Sequence, residues 1–157
     1  MISVERDGDF AAVMRDGRVV WRLDRCCNPF VEAVVWPAAG VVAIGAGACV
    51  QFVDEANERV VKTIELGPGD EGDWFGHFGE EVGDTLYVLG WANVTAIDRR
   101  LAVTWVSRDV AIDGITWRGC AGGRVLVSAE MDPPGGWIDV DLDAETGREL
   151  SRGPRCT

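Results

Sequence analysis

His77 is the only histidine in the chain and lies in Asp73-Trp-Phe-Gly-His-Phe78, among aromatic residues and close to Glu80 and Glu81. An imidazole in that setting has the makings of a general base or a metal ligand. One histidine cannot build a multi-histidine centre, however, and the aromatic neighbours predict a half-buried structural residue on a strand. Asp139, Asp141 and Asp143 alternate with Val140 and Leu142, superficially like the acidic start of a calcium loop. Such a loop needs a glycine after its third acid and a distal glutamate at a fixed offset. Ala144 follows instead, and period-two alternation places the three carboxylates on one solvated face of a strand.

Nucleophiles fare no better. The serines Ser3, Ser107, Ser128 and Ser151 sit in no G-x-S-x-G elbow. Cys49 and Cys120 lie in apolar or glycine-rich contexts where buried thiols are ordinary, so neither is read as a nucleophile served by His77. Gly67-Pro-Gly-Asp70 and Gly119-Cys-Ala-Gly-Gly123 lack the Lys-Ser/Thr ending of a phosphate loop and read as turns. Carboxylate pairs for glycoside hydrolysis are defined by spatial separation, and the acids are too numerous for the sequence to single out a pair. The residues therefore predict a non-enzyme with no metal and no cofactor.

What is left is surface. The segment from Gly67 to Asp84 is long for a strand connection, acidic and glycine-rich, and it holds Trp74, Phe75 and Phe78. Loops of that length are often functional. Between Lys62 and Arg99 the only charged side chains at neutral pH are Glu65, Asp70, Glu71, Asp73, Glu80, Glu81, Asp84 and Asp98. Acid interleaved with aromatics suits a basic protein partner, since charge steers encounter and aromatic rings anchor it. The candidate binding residues are Asp70, Glu71, Asp73, Trp74, Phe75, His77, Glu80 and Glu81. In its most specific form this reading is an acidic bacterial immunity-type protein that neutralises a basic toxin. Two alternatives compete with it. One is a small-molecule or carbohydrate binder or hydrolase whose pocket is built from Trp36, Trp74, Trp91 and Trp117; the other is a structural repeat unit that works as a homo-oligomer.

The elements that must position these residues are strands. At 157 residues, 47% hydrophobic and 26% charged, the chain suits a single domain over 1–157 with its own core. Met1-Ile-Ser-Val-Glu-Arg-Asp7 has no basic start leading into an apolar run, so no secretory signal is expected. No stretch approaches the roughly 18 apolar residues of a membrane helix. The odd set Cys26, Cys27, Cys49, Cys120 and Cys156 lacks paired C-x-x-C spacing, which predicts reduced thiols in a cytoplasmic protein. A net charge of −11 opposes nucleic acid and anionic membrane as partners.

Three segments repeat one another. Gly40–Gly45, Ala48–Asp54 and Arg59–Leu66 form a triplet of short apolar runs; Thr85–Gly90, Asn93–Asp98 and Leu101–Val106 form the next; Arg124–Ala129, Trp137–Asp143 and Gly147–Leu150 form the third. Asp54, Asp98 and Asp143 close the middle runs at intervals of about 44 residues, inside the ~40–50 residue window of propeller blades. Candidate strands at 29–36, 74–78 and 115–118 precede the triplets and bring each unit to four. Phe10–Arg15 and Arg18–Leu23, joined by the hairpin signal Asp16-Gly17, add a two-strand remnant. The expected fold is all-β and β-propeller-like, about three four-stranded repeats plus that remnant; a β-sandwich or barrel is the alternative.

The run Trp137-Ile-Asp-Val-Asp-Leu-Asp-Ala-Glu-Thr-Gly-Arg-Glu-Leu150 resembles the repeat of pyrroloquinoline-quinone-type β-propellers, where a strand ends in Asp, an x-x-Thr-Gly turn follows and an outer strand often ends in Trp. Asp16-Gly-Arg-Val-Val-Trp21 and Ala96-Ile-Asp-Arg-Arg-Leu-Ala-Val-Thr-Trp105 resemble the same piece. The resemblance, which extends to WD-like repeats, implies that Trp21 and Trp105 dock between neighbouring blades. Some quinone-dependent enzymes of that class carry a vicinal disulfide, to which Cys26-Cys27 is similar. Their larger ring and calcium site have no counterpart here, so the resemblance implies the repeat and not the cofactor.

Overall fold

The computed structural model describes residues 2–7, 10–23, 30–54, 56–67, 73–132 and 134–154. Cys26, Cys27, Cys156, Asp70 and Glu71 lie outside them. Fifteen strands carry the described fold: β1 (Ile2–Asp7), β2 (Phe10–Arg15), β3 (Arg18–Leu23), β4 (Val31–Trp36), β5 (Val41–Ala46), β6 (Cys49–Asp54), β7 (Arg59–Glu65), β8 (Phe75–Val82), β9 (Thr85–Gly90), β10 (Val94–Asp98), β11 (Val103–Ser107), β12 (Ile115–Ala121), β13 (Arg124–Glu130), β14 (Trp137–Asp143) and β15 (Glu149–Pro154). They form sheets in simple chain order, β1-β2-β3, β4-β5-β6-β7, β8-β9-β10-β11 and β12-β13-β14-β15. The N-terminal remnant thus has three strands where two were expected. Ile2 and Val4 pack inward while Ser3 and Glu5 stay exposed, the alternation of a half-buried strand.

The repeat is written into the backbone. In every sheet the hairpin that ends it carries a register shift at the same place: after Val13 in β2, Phe52 in β6, Ala96 in β10 and Asp141 in β14. The residue opposite the last regular pair is Trp21, Lys62, Trp105 and Ser151 in turn. An extra residue on one strand bends it and tightens the local twist.

The marker aspartates cap the turns that follow. Asp54 Oδ1 accepts the N–H groups of Ala56 and Asn57 at 3.0 and 3.3 Å. Asp98 Oδ1 accepts those of Arg100 and Ala102, both at 2.9 Å. Asp143 Oδ1 accepts those of Glu145 and Thr146 at 3.1 and 2.9 Å, together with the Thr146 hydroxyl at 2.8 Å. A short carboxylate that holds its own backbone is why Asp recurs here. Hydrogen bonds from Asn57 and from Thr146 keep the Asp54 and Asp143 carboxyls below the usual carboxylate range. The short turn in the first sheet has positive φ at both Asp16 (50°) and Gly17 (78°), as the Asp-Gly signal requires.

The backbone divides into two compact units, Met1–Phe75 and Gly76–Thr157. In the first, Val13, Ala33, Val42, Ile44 and Val53 form a buried cluster against which Ile2, Val4 and Trp21 pack. In the second, Tyr87, Leu89, Val94, Ala96 and Trp105 meet Val125, Val127, Ala129, Val140 and Leu142 in one core. Trp105 lies over Gly147, and its indole N–H donates to Ala144 O at 3.0 Å. This is the docking that the repeat resemblance implied.

Asp139, Asp141 and Asp143 do not form a simple solvated row. Asp139 accepts from Ser128 Oγ at 2.9 Å and pairs with Arg118 at 2.6 Å, with its side chain only 12% exposed; Asp141 pairs with Arg124 at 3.1 Å. The irregularity between Trp117 and Gly119 in β12 brings Arg118 to the carboxylate face, which period-two counting alone does not reveal.

Tyr87, the only tyrosine, sits between Trp105 (centroids 5.9 Å apart) and Trp117 (5.3 Å, stacked) and is hydrogen-bonded to the Cys120 thiol. Burial, reinforced by the thiol, pushes its hydroxyl up to about 12. The folded chain keeps this proton while the unfolded chain releases it near pH 10, so stability present below pH 10 is lost as pH rises towards 12. Absorbance at 295 nm should show the tyrosinate of the folded chain half-formed near pH 12 and that of the urea-unfolded chain near pH 10. Coincident titrations would contradict this, and Tyr87→Phe should remove the associated part of the alkaline loss.

Candidate functional site

Both described ends of the acidic segment lie at one end of the β4–β7 sheet. Leu66 N–H donates to Ala48 O at 2.8 Å and Phe75 N–H donates to Gly47 O at 2.7 Å, so both ends are tied to the same two-residue turn between β5 and β6. Leu66 and Phe75 are buried, and their side chains stake the loop to the core.

Within the stem, polarity is inverted relative to a simple inside-outside expectation. Asp73 is 6% exposed, and its Oδ1 accepts the Trp74 N–H at 3.0 Å, whereas the Trp74 ring is 41% exposed. The carboxylate holds the backbone that carries the indole. Val31 pairs with Ala46, next to the same turn, and so brings the preceding Phe30 to this end of the sheet with 48% of its surface exposed. Two large exposed aromatics therefore stand at one sheet end, and exposed Glu65 ends the neighbouring β7. Sequence reasoning missed Phe30. Phe30 falls inside the candidate strand 29–36 with no sign of its own that its ring is exposed, and only the register of β4 on β5 brings it to this end of the sheet.

The other candidate residues are not gathered there. Phe75 is fully buried against Gly45, so it anchors the loop from within and offers no ring at the surface. His77 lies two residues further along β8. Its Nε2 is 2.7 Å from Ile115 O and its Nδ1 is 3.3 Å from Phe78 O, the half-buried structural setting expected from its neighbours. Glu80 and Glu81 are exposed towards the C-terminal end of that strand.

Of the four tryptophans considered for a pocket, Trp36 is fully buried beside Phe52, with centroids 6.0 Å apart, and Trp117 is stacked on Tyr87. Neither indole N–H has a hydrogen-bond partner. Among the described residues, no three His, Cys, Asp or Glu side chains come together to hold a metal ion. Burial raises the Cys120 thiol above its ordinary value, which keeps it protonated and a poor nucleophile. Cys49 lies 3.6 Å from Ala46 O.

No family model matches the chain, and no curated protein matches it by sequence. Solved structures do. BamB from Moraxella catarrhalis superposes with a TM-score of 0.66 at 16% identity over 97% of this chain and 45% of that one. The WD40 β-propeller domain of Doa1 gives 0.60 at 16% identity over 98% and 50%, and a protein of unknown function from Bacteroides caccae gives 0.57 at 16% over 93% and 54%. The chain spans about half the length of these structures. The likeness establishes the fold as β-propeller-like, sets aside the sandwich and the barrel, and holds at the level of the repeat without implying a cofactor.

Proposed function

We propose that the chain is a non-catalytic protein-binding module that takes a basic partner at the end of the β4–β7 sheet. The observation that carries this reading is the stem of the acidic loop, where a buried carboxylate fixes the backbone of a half-exposed tryptophan at a sheet end that also carries a second exposed aromatic. A rigid indole on a tied loop loses little conformational entropy on binding. A net charge of −11 accelerates encounter with a cationic protein. In the finer form of the proposal the partner is a basic toxin and the chain its cytoplasmic immunity protein; a toxin gene beside this one would support it.

The test is calorimetry with a partner isolated by affinity capture, at low and high salt. Trp74→Ala should weaken binding by about 30-fold or more, as central aromatic anchors do. Asp70→Asn with Glu71→Gln should slow association and flatten the salt dependence, with a smaller loss of affinity. Salt-independent binding, or binding indifferent to Trp74, would overturn the proposal.

A further inference from the structure

The backbone tie that holds Phe75 in the first unit recurs in the second, with a different residue at its tip. Phe75 N–H donates to Gly47 O in the turn between β5 and β6; between β11 and β12 the N–H groups of Val110 and Ala111 donate to Ala92 O, in the turn between β9 and β10, at 2.8 and 3.2 Å. A further tie follows. Ile112 N–H donates to Glu130 O at 2.9 Å, and Glu130 N–H donates to Gly114 O at 2.9 Å. The bend of residues 108–114 is thus fixed to the ends of two sheets, β8–β11 and β12–β15. Val110 and Ala111 before its tip and Ile115 after it are buried in one core, whereas Ile112 is 61% exposed, more than any other large apolar residue among those described.

With its N–H held and its neighbours staked in the core, Ile112 cannot turn inward without breaking these ties. Nor does it stand alone. Half-buried Trp91 precedes Ala92, and the ring of half-buried Trp137 would lie 3.6 Å from a Cβ at Gly114, so aromatic surface borders the bend on both of the turns that hold it. The charge around it has one sign. Residues 91–93, 108–114 and 130–136 carry Asp109, Asp113, Glu130 and Asp132 against the single cation Arg108. Arg152, which reaches the bend from β15, is already engaged. Its guanidinium donates to both carboxylate oxygens of Glu149 at 2.9 and 2.6 Å, and it pins Asp109 O at 3.4 Å and Met131 Sδ at 3.2 Å.

We propose that this bend is a second contact surface for the basic partner, with Ile112 seated against an apolar side chain of a lysine- or arginine-rich segment and the surrounding carboxylates pairing with its cations. The proposal rests on the reading of the chain as a binder of a cationic protein. Charge complementarity names the occupant, because carboxylates round an apolar tip repel an acidic ligand and steer a cationic one. The fixed backbone favours it too, since a pre-organised tip loses little freedom when it docks. Each compact unit then offers one staked apolar side chain among acids, Trp74 in the first and Ile112 in the second.

The experiment is residue-resolved amide NMR on the full chain, titrated to about 1 mM with two synthetic lysine-rich peptides of equal charge, one with a central leucine and one with glycine in its place. Read from the amides of residues 109–114, the leucine peptide should bind about tenfold tighter than the glycine peptide. Ile112→Ser should remove that preference and leave the melting temperature unchanged, because the side chain is exposed; Ile112→Val should keep most of it. Asp109→Asn with Asp113→Asn should weaken both peptides alike and flatten the salt dependence. No binding up to that concentration, shifts spread evenly over the acidic surface, or a leucine preference that survives Ile112→Ser would overturn the proposal. Trp74→Ala separates it from the reading on which it rests. A preference lost with Trp74→Ala and kept with Ile112→Ser would leave the first surface and overturn this one; the reverse would uphold this surface and remove the other.

Discussion

Trp105→Ala is expected to destabilise the chain by about 4 kcal/mol, within the range for removing a buried tryptophan. The ring is 8% exposed, packs on Tyr87 and covers Gly147, and its N–H satisfies Ala144 O. Gly147→Ala should cost about 3 kcal/mol through two separable effects. Its φ of 71° is left-handed, which costs a side chain roughly 1 kcal/mol. A Cβ there would also overlap the Trp105 ring, and overpacking costs about 2 kcal/mol. Only the second effect needs the indole. In the Trp105→Ala background Gly147→Ala should therefore cost only about 1 kcal/mol, a coupling of about 2 kcal/mol in a double-mutant cycle read by urea denaturation. Additive costs would show that Trp105 is an ordinary core residue and that the Asp-x-x-Thr-Gly turn is not shaped to receive it.

That pairing marks how far the sequence could be read. The 44-residue rhythm, Asp16-Gly17 and strands 10–15, 18–23, 85–90 and 137–143 follow from local alternation and turn chemistry, and the structure has them at the same bounds. The sequence pattern puts the last strand at 147–150, because Gly147 reads as the start of a run; in the structure it is the left-handed residue ending the turn, and β15 begins at Glu149. β1 was missed although Ile2 and Val4 alternate with Ser3 and Glu5, because two apolar residues before a charged pair are a weak signal until a neighbouring core receives them. The candidate site was legible as a composition and illegible as a surface. A list of acids and aromatics does not say that Phe75 turns inward, that Trp74 turns outward, or that eight-residue β8 carries Glu80 and Glu81 to its other end. Those outcomes depend on register, and register is set by partners distant in sequence.

Glycine within a strand is a further sign of such distant partners, and Gly45 provides the sharper test. It lies in the middle of the second sheet, in β5, with no φ requirement for glycine, and by propensity alone Gly45→Ala should stabilise the strand by about 0.5–1 kcal/mol. The structure predicts the opposite sign. A Cβ at position 45 would coincide with the ring of fully buried Phe75, whose backbone is tied to Gly47 O, so the ring has little freedom to withdraw. Gly45→Ala should cost about 2–3 kcal/mol by overpacking. Phe75→Ala should cost about 3–4 kcal/mol by opening a cavity at the foot of the acidic loop. Combined, they should be less damaging than Phe75→Ala alone, because the added methyl refills part of the cavity and recovers the strand preference. This reversal is the discriminating result: if Gly45→Ala destabilises equally in both backgrounds, the glycine answers to something other than the ring. Because Phe75 stakes the loop that carries Trp74, Phe75→Ala should also lower partner affinity without altering any exposed residue, while Gly79→Ala, which sets a Cβ 2.6 Å from the Trp117 ring, should lower stability and leave affinity unchanged.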